Sequence, residues 1–188
     1  MATVTKSPTK VVTGKCRLSY VHLFEPFANE EGQTPKYSTV LLIPKTDKVT
    51  IKRLKAAQQA ALEAGKDSKF GGKIPAKWGN TLHDGDEEAD LERNPEYAGH
   101  LYMTVSAVTR PGIVDQSVQP IMDSSEVYSG CYARASLNAF PYSVSGNKGV
   151  SFGLNHIQKM GDGDFLGGRS SADDDFDELD SDDDDDLI

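Results

Sequence analysis

The sequence predicts a mainly β protein: a five-stranded OB-fold-like barrel with one inserted α-helix and a disordered acidic C-terminal tail. Three observations carry this expectation. Apolar residues alternate with period two along five principal runs, the signature of strands with one buried face. One long segment alone keeps helical spacing. Glycines fall inside long strand-like runs, and curling a sheet shut needs bends and bulges that glycine can supply. A β-sandwich uses the same alternation, so strand counting leaves that architecture open.

Each element follows in chain order. "VVTGKCRLSYVHLFEPF" is the first strand, with Cys16, Leu18, Tyr20, His22 and Phe24 on one face and Arg17, Ser19, Val21 and Leu23 on the other. "NEEGQTPK" is a turn, and "KYSTVLLIPK" a second strand halted by Pro44. Thr46 or Asp47 caps the helix "KVTIKRLKAAQQAALEAG", which Gly65 ends. Its apolar face is Ile51, Leu54, Ala57, Ala61 and Leu62, and Lys48, Lys52, Lys55 and Gln59 lie on another. Residues 67–99 lose regularity, and a long irregular excursion of that kind is usually functional or mobile. Strands resume with "HLYMTVSAVTRP", a short run in "IVDQSVQP", then "VYSGCYARASLNAF" with a bend at Gly130, and "VSFGLNHIQKM" with Gly153 mid-strand.

Charge divides the chain. The net charge is −9, but residues 161–188 hold 13 acidic residues against Arg169 alone, leaving residues 1–160 at +3. A mildly basic domain over 1–160 therefore carries a Gly/Ser linker and acidic tail over 161–188. The tail is expected to be disordered, because so few apolar residues cannot offset the entropy of ordering it. No apolar run is long enough to cross a bilayer, and "MATVTKSPTKVV" lacks a secretory layout, so a cytoplasmic protein without membrane contact is expected. Cys16 and Cys131 lie far apart without a CxxC motif and read as small buried hydrophobes.

Catalytic signatures are missing: there is no GxSxG, HExxH or Walker loop, so no enzyme, metal or cofactor is expected. His83, Asp84, Asp86 and Glu87 sit in an acidic loop without ligand spacing, and "GDGD" lacks the rest of a calcium loop. Binding signals are stronger. Bases of a single strand stack on flat π-surfaces while nearby cations neutralise the backbone, so grooves for them interleave aromatics with Lys and Arg. Three stretches do so: "TPKYSTVLLIPK", "KFGGKIPAKWG" and "VYSGCYARASLNAFPY". In the last, Tyr128, Gly130, Tyr132, Arg134 and Ser136 share an outer face, opposite core-like Val127, Cys131, Ala133, Ala135 and Leu137. The candidate nucleic-acid contacts are Lys36, Tyr37, Lys45, Lys52, Lys73, Lys77, Trp78, Tyr128, Tyr132 and Arg134. No recognition helix is evident, so little sequence preference is expected.

The chain ends on Asp182, Asp183, Asp184, Asp185, Asp186, Leu187 and Ile188. A tethered polyanion competes with nucleic acid for a basic groove at high effective concentration. Two aliphatics beside carboxylates add an apolar anchor for a partner with a basic rim.

Together with the basic body and acidic terminus, "VYSGCYARASLNAF" and "GVSFGLNHIQKM" resemble the tailed-phage single-stranded DNA-binding proteins, a family formerly catalogued as a domain of unknown function. That family is similar in fold to the helix-destabilising protein of short-tailed coliphages. The resemblance covers most of residues 10–160 and the character of the tail. It implies an OB-fold that binds single-stranded DNA without sequence specificity; weaker binding of double-stranded DNA is expected from the competing tail. It also implies a role in phage replication, recombination and repair in the host cytoplasm. The tail would recruit replication proteins such as DNA polymerase or helicase-primase, and a homodimer is left open. Related proteins end in an aromatic, whereas this chain ends in Leu187-Ile188, an aliphatic plug in its place. The alternative is a non-enzymatic phage structural or protein-interaction module whose tail binds basic partners.

Overall fold

Five long strands close a ring of pairings in a computed structural model that describes residues 7–28 and 30–166. In chain order the strands are β1 Lys10–Val12, β2 Cys16–Phe27, β3 Lys36–Pro44, β4 Gly79–Asn80, β5 His83–Asp84, β6 His100–Ala107, β7 Gly112–Val114, β8 Tyr132–Val144 and β9 Asn147–Gly161. The helices are α1 Lys48–Ala64 and the single-turn α2 Gly85–Glu88. β2 pairs with β3, β3 with β6 and β8 with β9, all antiparallel, and β6 meets β9 in parallel at Ser106 and Gly153. The ring shuts where Cys16 and Arg17 of β2 face Ala133 and Tyr132 of β8. The closed ring of five strands agrees with the expected barrel and decides against the sandwich, which alternation alone left open. Leu18, Leu41, Met103, Val105, Leu137 and Phe152 fill its interior. No helix among the described residues is long and apolar enough to cross a membrane.

α1 lies against the barrel with Leu54, Ala57, Ala61 and Leu62 buried, while Ile51 is only partly covered. Asp47 is its cap: one carboxylate oxygen accepts from the Thr50 N–H at 3.1 Å and the other from the Thr50 hydroxyl at 2.6 Å. The same hydroxyl accepts from the Gly14 N–H at 2.9 Å, which ties the helix start to the corner between β1 and β2. A Cβ on Gly14 would lie 2.5 Å from Asp47 Oδ2, so glycine is required for that approach.

The 67–99 excursion is largely irregular, as the sequence indicates, with the single turn α2 and two short strands that tie it to the barrel. β4 runs parallel to β9, β5 pairs with β6, and the buried Gln58 of α1 donates to Asn80 Oδ1 at 2.7 Å. Tyr97 packs with Val40 and Leu42 in a small second core on the outside of the barrel. Burial there pushes its hydroxyl pKa up to about 12. Cys16 and Cys131 are both buried free thiols, and burial lifts that of Cys16 to about 11.

Glycine does not supply the barrel's curvature where the sequence places it. Gly153 keeps regular register with Asn138. The shifts fall instead in β2, between Ser19 and His22 and again between His22 and Phe27, and after Tyr132 and Ser136 in the β8–β9 pair, where Met160 and Asn155 are the unpaired residues. Gly130, with φ +113°, lies before β8 in a turn, and a Cβ there would collide with the Asp164 carbonyl. Tyr20 takes φ +47° at the first shift, and the face of β2 changes there. Cys16 and Leu18 point inward before it, Leu23 points inward after it, and Tyr20 is 49% exposed. The single face expected for Cys16 to Phe24 is therefore split in two.

The capping network makes a measurable contribution. Asp47→Ala should cost about 1–2 kcal/mol, the usual loss for an N-cap acid. The urea midpoint should fall with the slope unchanged and the strand content intact. An unmoved midpoint would mean that the Asp47–Thr50–Gly14 contacts are incidental.

Candidate nucleic-acid interface

The face change at Tyr20 builds a groove. Beyond it, His22 lies opposite Ser38 and Phe27 opposite Lys36, while Ser38 lies opposite Ser106 and Val40 opposite Thr104. Cross-strand partners share a face, so these side chains stand together on the outer surface of β2, β3 and β6. The resulting groove has a volume of about 850 Å³. The His22 and Phe27 rings are stacked at 4.3 Å and 8°, giving a flat platform, and Phe27 is 48% exposed. The Tyr20 hydroxyl donates to Asn94 Oδ1 at 3.1 Å, so the insertion flanks the groove beside that ring. Lys36 supplies a cation, and no carboxylate is among the described residues lining the groove. A left-handed backbone at a bulky residue costs on the order of 1–3 kcal/mol and persists only where its surroundings enforce it. The groove can stack bases, offer hydroxyls and neutralise a phosphate.

A second locus lies on β2 before the face change. Arg17 is 5.8 Å and Lys15 5.1 Å from the Tyr132 ring centroid, and Lys159 is 5.7 Å from that of Tyr128. The start of the acidic segment covers this patch. Asp162 accepts from the Tyr128 hydroxyl at 2.9 Å and pairs with Lys159 at 2.8 Å. Arg17 Nη2 donates to the Asp164 carbonyl at 2.8 Å, and the Leu166 N–H donates to the Ser129 carbonyl at 2.9 Å. Lys159 and the Tyr128 hydroxyl hold the Asp162 carboxyl below the ordinary carboxylate range.

The residues singled out in the sequence are dispersed. Lys36 lies in the groove, but Tyr37 has the opposite strand parity, that of Thr39 and Leu41. Lys45 is engaged by Asp84 at 2.7 Å and Asp86 at 2.6 Å, and its ammonium lowers both carboxyl pKa values. That pairing fastens the insertion to the barrel. His83 lies 3.1 Å from Glu88, and no group of His, Cys, Asp and Glu that could hold a metal is found among the described residues. Lys52 is on the exposed face of α1, and Lys73 is exposed in the insertion. Phe70 is buried in the core, while Lys77 and Trp78 border a separate hollow. Tyr128 and Tyr132 meet beneath residues 162–165, although Gly130 breaks the common strand face expected for them. Arg134 shares the outer face of β8 with Tyr132 and donates to Gln158 Oε1 at 2.5 Å. Asp182 to Ile188 lie outside the described residues.

Sequence reasoning did not single out Tyr20, His22 and Phe27, which line the groove, or Lys15, Arg17 and Lys159, which form the cationic patch. The ring-dense stretch "YVHLFEPF" was the available signal. Strict alternation hid it by assigning Tyr20 and His22 to the face of Cys16 and Leu18.

The chain is similar to proteins already known. Residues 9–188 match the family model described as Enterobacter phage Enc34, ssDNA-binding protein. Putative protein p50 of Acyrthosiphon pisum secondary endosymbiont phage 1 is 31% identical over 177 residues, 90% of this chain and 94% of that one. The single-stranded DNA-binding protein from bacteriophage Enc34, solved in complex with ssDNA, matches with a TM-score of 0.72 at 25% identity, over 85% of this chain and 90% of that one. In gp2.5, a single-stranded DNA-binding protein encoded by bacteriophage T7, the TM-score is 0.62 at 13% identity, over 93% and 97% of the two chains, a likeness of fold alone. With the family model matched from residue 9 to the last residue, the chain belongs to the Enc34 ssDNA-binding protein family.

Proposed function

We propose that this chain is a phage single-stranded DNA-binding protein that holds its ligand, without sequence preference, in the groove of β2, β3 and β6. The observation that carries the reading is the groove's outward set of Tyr20, stacked His22 and Phe27, and Lys36, with no lining carboxylate. Every base has a π-face, so such a platform accepts any base. A duplex hides those faces and offers phosphates alone, so double-stranded DNA binds more weakly. Membership of the Enc34 family, and the ssDNA complex of its bacteriophage Enc34 neighbour, support the same reading. It places the protein in phage DNA replication and recombination in the host cytoplasm.

The acidic tail acts, in this proposal, as a competitor for DNA. Support comes from its first residues, where the Asp162 carboxylate and Asp164 carbonyl lie on Lys159, Tyr128 and Arg17, groups suited to receive a phosphate and a base. Tyr128 and Tyr132 thus extend the DNA-binding surface once this segment lifts. The tail tip, Asp182–Asp186 with Leu187 and Ile188, recruits a replication partner such as DNA polymerase or helicase-primase.

Tyr20→Asn retains a residue that tolerates left-handed backbone and removes the ring, while Phe27→Ala removes half of the platform. Each should weaken single-strand binding by about 1–3 kcal/mol with the fold intact. Lys36→Ala should flatten the slope of log K against log salt by about 0.7. Unchanged affinity in all three folded variants would sink the groove assignment.

Removing residues 167–188 should tighten single-strand binding, most at low salt where screening is weak. Removing 162–188 should tighten it further by freeing Tyr128 and Tyr132. Equal affinity for all three chains across a salt series would end the competition model. Deleting Leu187 and Ile188 alone should spare DNA affinity and reduce capture of the polymerase or helicase-primase. Undiminished capture would leave the contact to the carboxylates.

A further inference from the structure

The hollow beside Trp78 has a volume of about 740 Å³ and opens where the insertion meets the tip of the β8–β9 hairpin. Trp78 and Tyr142 give it aromatic walls, Lys77 and Lys148 give it cations, and no carboxylate is among its described lining residues. Trp78 is only half-buried: part of it packs against the core and part borders the hollow.

The contact between insertion and hairpin is tightly constructed. Gly79 and Asn80 run alongside Gly149 and Val150, with Asn80 anchored by Gln58 of α1. A Cβ on Gly149 would lie 2.7 Å from the Tyr142 hydroxyl oxygen and would collide with the Gly79 carbonyl. The bare glycines let the insertion approach closely enough to place Trp78 beside Tyr142.

An open face joins this hollow to the groove. Across the hairpin, Tyr142 pairs with Gly149, Phe140 with Ser151 and Asn138 with Gly153, and Gly153 pairs in turn with Ser106 of the groove. Paired and alternate residues share one surface of the sheet. Phe140, 45% exposed, stands between the two ends, and its ring comes within 3.8 Å of where a Cβ on Gly153 would be. The four-residue step from Gly149 to Gly153 along β9 is about 13 Å. That is the reach of about four stacked nucleotides.

We propose that the hollow is a second contact for the same DNA strand. A strand longer than the groove can hold passes Ser106, crosses Phe140, and seats a base against Trp78 and Tyr142 with its phosphates on Lys77 and Lys148. The proposal rests on the groove reading above and adds a length threshold to it. Binding then strengthens in a step once the oligonucleotide spans both sites.

Trp78 is the single tryptophan in the chain, so intrinsic fluorescence reports on the hollow directly. The full-length protein is titrated with oligo-dT of about 4 and about 12 nucleotides, the lower and middle range of OB-fold site sizes. The expected result is that both lengths bind, measured by anisotropy of labelled DNA, and that only the longer one quenches Trp78. Lys77→Glu combined with Lys148→Glu should lower affinity for the longer strand by about tenfold, the scale of one lost stack, and leave the shorter one unchanged. It should also flatten the salt slope by about 1.4, again for the longer strand only. Binding of both lengths with silent Trp78 emission, or an equal loss for both in the double variant, would overturn the second contact and leave the groove standing. No binding at either length would overturn the groove reading and this one with it. Emission that answers to removal of residues 167–188 but not to DNA would seat the tail in the hollow and overturn the assignment.

Discussion

The left-handed backbone at Tyr20 is the constraint on which the functional surface depends. A strand in strict alternation could bury Cys16 and Leu18 only by burying Tyr20 and His22 as well. One extra residue at the bulge resets the parity, so Leu23 continues the core while Tyr20 and His22 turn to solvent. The hydrogen bond from Tyr20 to Asn94 and the Tyr97 core outside the barrel hold the insertion beside the groove. The insertion and the aromatic platform therefore meet at one residue whose conformation is unfavourable in isolation.

Charge is partitioned as deliberately as shape. Three acids of the insertion are engaged locally, Asp84 and Asp86 on Lys45 and Glu88 near His83. Carboxylates are absent from the described lining of both the groove and the Trp78 hollow. The first acidic residue of the tail to meet the body does so at a Lys–Tyr site rather than at random. Its lowered pKa fixes the sign of the effect: the contact is complete at neutral pH and loosens only as pH falls through the carboxyl's lowered value. Salt, rather than physiological pH, is the variable that tunes it.

Much of the architecture was legible because it follows from periodicity. The five ring strands, the helix capped by Asp47 and ended at Gly65, and the buried set Val127, Cys131, Ala133, Ala135 and Leu137 follow from local pattern, although the first run breaks into β1 and β2 around Gly14 and the run from Val127 becomes a strand only at Tyr132. The groove was not legible, because a bulge at a non-glycine residue leaves no local mark and changes the faces of His22 and Leu23 after it, and a second irregularity follows before Phe27. Lys45 was misleading for a different reason. Its partners, Asp84 and Asp86, lie about forty residues away, and only the pairing of β5 with β6 brings them near. Trp78, a candidate contact in the sequence, divides in space between the core and a hollow.

The most direct measurement of the central claim is a photocrosslinking map. Full-length protein saturated with oligonucleotide carrying 5-iodouracil is irradiated, digested and sequenced by mass spectrometry. The account predicts adducts on Tyr20, His22 or Phe27, the rings that face the groove. Adducts confined to the exposed lysine face of α1, with none between Tyr20 and Phe27, would contradict it.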